Sequence, residues 1–74
     1  NPTTRISFTL PKAADVKLVV SNILGEEVAT LFEGQLHAGE HTHNFNAQKL
    51  NSGVYFYSLI TEEKTISKKM MLLK

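Results

Sequence analysis

The sequence predicts an all-β fold, an antiparallel sandwich of about seven short strands, on three observations. Apolar and polar residues alternate with a period of two, single glycines and polar turn residues separate the alternating segments, and no stretch demands a long helix. The first strand is written in RISFTL, where Ile6, Phe8 and Leu10 share one face and Arg5, Ser7 and Thr9 the other. Pro11 ends it, having no N–H to give to a ladder. DVKLVVSN repeats the device, with Val16, Leu18 and Val20 on one face and Lys17, Val19 and Ser21 on the other, and the apolar faces of these two strands are expected to share a core.

ILGEEVATLFEG admits two readings. Leu24, Val28, Leu31 and Phe32 fit helical spacing, and Glu26, Glu27 and Ala29 are good helix formers. Against this, Asn22 to Gly25 reads as a tight turn with Gly25 at positive φ, which folds EEVATLFEG back on VKLVVS as a hairpin. The hairpin is preferred, and a helix of about ten residues is the alternative.

After a loop containing Gly39, HAGEHTHNFNA sets His41, His43 and Phe45 on one face. SGVYFYSLIT, rich in β-branched and aromatic residues, is the strongest strand signal, with Tyr55, Tyr57 and Leu59 directed inward. KTISKKMMLLK resumes after the polar turn Thr61 to Glu63. In LNSGVY, Leu50 and Gly53 stand five and two residues before Tyr55. That spacing resembles the tyrosine corner of immunoglobulin-like sandwiches, in which a phenol bonds back to the upstream chain. The antibody-type Cys…Trp…Cys core is absent, so the likeness is one of architecture.

Composition excludes several functions. Eight Lys and Arg against seven Asp and Glu give a formal charge of +1, too little for nucleic acid or anionic lipid to be held by bulk field. No apolar run approaches the roughly 20 residues a membrane-spanning helix needs. With no cysteine, disulfides, thiolate metal sites and cysteine nucleophiles drop out together, a count compatible with cytosol or export. The chain opens Asn1-Pro2, without Met or a signal segment, and is expected to be a piece of a longer protein.

No cofactor and no metal are expected. His41 and His43, sharing a strand face with His37 nearby, are the pair that would supply metal ligands, but the spacing is common by chance and needs a further ligand from another strand, and partly buried or edge histidines in a polar pocket are the preferred explanation. The serines form no G-x-S-x-G elbow, Asp15 is the sole aspartate, and Glu26-Glu27 and Glu62-Glu63 read as solvated turn charges. Tyr55, Phe56 and Tyr57 admit a stacking platform, although so small a sandwich needs its large side chains inside. Lys68, Lys69 and Lys74 form a basic patch or protect the apolar MMLL strand from edge pairing.

Five motifs, in order and nearly at the right spacing, carry a resemblance. NPTTRISFTLP, VKLVVSNILGEEVATL, AGEHTHNFNA, LNSGVYFYSL and SKKMMLLK resemble the successive segments of the type A C-terminal sorting domain of the bacterial type IX secretion system. The resemblance covers residues 1–74 and implies a single immunoglobulin-like sorting domain, related in fold to the immunoglobulin-like domain of the flagellar hook-capping protein. It implies no catalysis. Members direct a cargo domain upstream in the same chain, in transit through the periplasm, to the cell surface or beyond. The partners implied are an outer-membrane shuttle, the translocon, and a cysteine-protease sortase that cuts upstream of the domain. The matching positions make Gly25, Gly39, Gly53 and Tyr55 fold determinants, and Lys68, Lys69, Met70, Met71, Leu72, Leu73 and Lys74 the recognition strand. Ser21, Asn22 and His43 depart from the usual Tyr, Asp and apolar residue, the first and third being expected to weaken the core. The alternative function is a structural or carbohydrate-binding accessory module of a surface enzyme, which would expose an aromatic cluster on one face.

Overall fold

A computed structural model describes residues 3–73. Six strands follow in chain order: β1 (Thr3–Leu10), β2 (Ala14–Ser21), β3 (Glu27–Leu36), β4 (Gly39–Asn46), β5 (Gly53–Ile60) and β6 (Thr65–Leu72). All pairings are antiparallel. β1 pairs with β4 alone, and the other strands form a four-stranded sheet in the order β3-β2-β5-β6. This is how strands B and E, and C′, C, F and G, are divided in an immunoglobulin sandwich, with β5 in the place of F. Six strands stand where about seven are expected: β1 has no strand on its outer side among the described residues, and the connections are too short to hold another.

Alternation built the core as the sequence predicts. Ile6, Leu10 and Phe45 from the two-stranded layer meet Val16, Leu18, Val20, Tyr55, Leu59 and Leu72 from the other. Phe8 and Tyr57 pack against this cluster while half-buried. Val19 differs from expectation. It lies on the opposite face from Leu18 yet is buried, because β2 is a central strand and Thr30 and Ser58 flank Val19 on both sides. Ser21 stands on that same outer face, level with Glu27 and Phe56, so it does not weaken the core. His43 does face inward, half-buried, with its ring edge-on to Phe32 at 6.1 Å.

The stretch open to a helix is a turn followed by β3. Asn22 organises the turn: its side-chain oxygen accepts from the N–H groups of Leu24 (2.9 Å) and Glu26 (3.0 Å), and its amide nitrogen donates to the Glu26 carboxylate at 2.8 Å. Gly25, at φ 85°, donates its N–H to the Asn22 carbonyl at 3.0 Å. A residue with a Cβ resists that left-handed conformation, which is why glycine sits there. β3 then runs along β2 with register shifts opposite Leu18/Val19 and Val20/Ser21.

Candidate recognition surface

Among the described residues, the last strand, β6, is held from one side only. β6 pairs with β5 through eight consecutive residue pairs, Gly53 with Leu72 to Ile60 with Thr65, without a register shift. Leu72 is turned into the core at 6% exposure, while its neighbours Met71 and Leu73 stand 61% and 76% exposed. Lys68 and Lys69 are exposed and Met70 is half-buried against the core. Lys74 lies outside the described residues. Of the seven residues singled out in the sequence, Leu72 thus anchors the strand, and Lys68, Lys69, Met71 and Leu73 face solvent.

A second apolar feature escaped the sequence reading. Ile23 and Leu24, adjacent at the tip of the Asn22 turn, are both exposed. Strand direction puts this turn, the 47–52 loop and the end of β6 at one end of the sandwich, since Ser21 is level with Phe56 and Lys69, and Gly53 with Leu72. Of the six exposed large apolar residues among those described, five, Ile23, Leu24, Val28, Met71 and Leu73, therefore belong to the end where β6 finishes. A groove of about 290 Å³ opens there as well, lined in part by Val28, Phe45 and Leu50. Hydropathy alone gives a turn containing Ile-Leu; their display follows from the hydrogen bonds around Asn22, which only the three-dimensional arrangement reveals.

The 47–52 loop beside this end is fixed by the tyrosine corner. The Tyr55 hydroxyl donates to the Asn51 carbonyl at 2.9 Å, the Leu50 N–H to the Ala47 carbonyl at 2.9 Å, and the Gln48 N–H to the Asn46 side chain at 3.0 Å. The Tyr55→Phe variant removes one bond and leaves a partly buried carbonyl without it, at a cost of about 1–2 kcal/mol. Chemical denaturation measures the loss, and faster amide exchange confined to residues 47–52 is the accompanying signature. A midpoint equal to the parent's contradicts the corner's role.

The histidines gather at the other end. The His41 ring Nε2 lies 2.8 Å from the His37 carbonyl, His37 Nδ1 lies 2.8 Å from the Ala38 carbonyl, and the two rings are 4.8 Å apart. His43 is on the same face of β4 but turns to Phe32. Among the described residues no group of three or more His, Cys, Asp or Glu is placed to hold a metal ion. Gly39 (φ 124°) closes the connection into β4, and Gly53 (φ 153°) opens β5. Among the described residues no Phe or Tyr side chain is fully exposed: Tyr55 and Phe45 are buried, and the rest are half-buried. Nor is any helix among them long and apolar enough to cross a membrane.

A family model described as secretion system C-terminal sorting domain matches residues 1–73. No curated protein and no solved structure matches the chain. With the model spanning the chain and an all-β sandwich beneath it, the chain belongs to the family of secretion system C-terminal sorting domains, sorting signals of type IX secretion that imply a cargo chain and export to the cell surface or extracellular space.

Proposed function

We propose that residues 1–74 form one folded, non-catalytic address that takes a cargo domain of the same polypeptide from the periplasm across the outer membrane, after which a surface sortase removes it. The outer-membrane shuttle and translocon read the address, and Lys68, Lys69, Met71 and Leu73 together with the Ile23-Leu24 tip are the surface they read. Gly25, Gly39, Gly53 and Tyr55 hold the fold that displays it. The observation that carries this reading is the division of labour along β6: one side chain, Leu72, is sunk in the core while its neighbours are left in water at an apolar end. An apolar group of this kind on a small soluble fold marks a protein-contact surface. A carbohydrate-binding module would need exposed rings to stack on a sugar, and the half-buried and buried aromatic side chains argue against it.

The test is to fuse the chain behind a periplasm-targeted fluorescent protein in a bacterium that has a type IX system. The fusion is expected at the cell surface or in the medium, and absent from both when the translocon is deleted. A fusion that accumulates in the periplasm with the system intact refutes the sorting role.

A further inference from the structure

We infer that the free edge of β6 accepts an extended segment of a partner protein in which apolar residues alternate with aspartate or glutamate. This rests on the sorting reading for where the partner is found, and adds how it is bound.

The phase of the β5–β6 ladder decides which groups are offered. Thr61 donates its N–H to the Lys64 carbonyl at 2.9 Å, which makes that pair hydrogen-bonded, and hydrogen-bonded and open pairs alternate along an antiparallel ladder. Counting on from Lys64, the open pairs are those of Thr65, Ser67, Lys69 and Met71. Their N–H and C=O groups point away from β5. The Ser58 and Ser67 hydroxyls, 2.8 Å apart, agree with this phase, because side chains approach more closely across an open pair. β6 thus presents a regular row of unused backbone donors and acceptors.

The two edges of the four-stranded sheet are not alike. β3, at the far edge, carries two register shifts, the bulging that discourages a further strand. β6 carries none over its whole length. Its two faces also keep apolar side chains that an added strand would cover. Ile66 shares the inward row of Leu18 and Leu59 but is 40% exposed, because the two-stranded layer leaves it uncovered, and Met71 stands on the outer face.

Charge selects the occupant. Residues 64–74 contain four lysines and no acid, and Lys64, Lys68 and Lys69 form no ion pair among the described residues. Register puts Lys68 on the inward face and Lys69 on the outward one, so an incoming strand meets an ammonium group on either side of it. A second copy pairing β6 to β6 would set these lysines against each other, and like charges across a ladder destabilise it. A strand carrying carboxylates at alternate positions satisfies them, while its backbone supplies affinity as in other strand-addition complexes.

An acetylated, amidated octapeptide alternating valine and glutamate is the probe, with a lysine-for-glutamate version beside it. On titration into the chain, amide exchange at Ser67, Lys69 and Met71 is expected to slow by about tenfold or more with the acidic peptide and to stay unchanged with the basic one. In Lys69→Pro, proline removes an outward N–H that the β5 ladder does not use, so the unfolding midpoint is expected to hold while peptide protection and fusion export are lost. Lys69→Arg is expected to retain both. No slowing, equal slowing by both peptides, or slowing that tracks protein concentration without peptide overturns the inference. Export of the Lys69→Pro fusion at the parent's level overturns it while leaving the sorting role standing; failure of the parent fusion removes the sorting role, and the exchange data still judge the edge.

Discussion

Leu18→Ala is expected to cost about 2–5 kcal/mol, the cost of deleting a buried leucine side chain and leaving a cavity. Leu18 is 1% exposed on the central strand β2, level with Phe32 on β3 and Leu59 on β5. It belongs to the cluster that joins the four-stranded sheet to Ile6, Leu10 and Phe45 opposite, so its loss loosens both layers together. A chain of 74 residues has roughly 4–11 kcal/mol in total, which makes this a large share. At a urea slope of about 1 kcal/mol/M, the midpoint falls by about 2 M or more. Ile23→Ala serves as the comparison. Its side chain already stands in water at the turn tip, and the change is expected to stay within about 0.5 kcal/mol. Equal midpoints for the two variants contradict the core as described.

The period-two pattern made most of this fold legible. Ile6, Leu10, Val16, Leu18, Val20, Tyr55 and Leu59 all face inward as their alternation requires, and the Tyr55 bond to Asn51 is where the LNSGVY spacing puts it. The Asn22 to Gly25 turn settled the stretch that fits both strand and helix: once Gly25 takes φ 85°, the following residues lie alongside β2 and gain its hydrogen bonds. The division into sheets was not legible. β1 and β2 are neighbours in sequence and lie in different layers, while β1 pairs with a strand that starts 29 residues after its own end, Gly39 against Leu10. Period-two alternation says which side chains go inside, not which strand lies beside which. Val19 fell outside the reading for a related reason, since burial on the outer face depends on having a strand on each side. The candidate surface was legible as a stretch, and its composition was not. MMLL is a uniform apolar run in sequence, and only pairing with β5 sorts Leu72 to the inside and Met71 to the outside.

That sorting governs how the recognition surface has to be tested. Removing residues 69–74 takes away exposed groups, but it also takes Leu72 from the core and Met70 from its margin, so lost export would report unfolding as readily as lost docking. The double variant Met71→Ser, Leu73→Ser separates the two. Both side chains are mostly in water, and the unfolding midpoint is expected to move by less than about 1 kcal/mol in free energy. Each apolar side chain fully buried against a partner is worth about 1.5–3 kcal/mol, and 1.4 kcal/mol is tenfold in affinity, so losing the pair is expected to weaken docking by at least about a hundredfold. Fluorescent fusion should then remain in the periplasm although it is folded and resists protease. The single variant Leu72→Ser is expected to behave in reverse, with a hydroxyl forced into the core, a sharply lower midpoint and degradation before export. Normal export of the Met71, Leu73 double variant would move the reading surface away from the end of β6, and the Ile23-Leu24 tip would become the place to look.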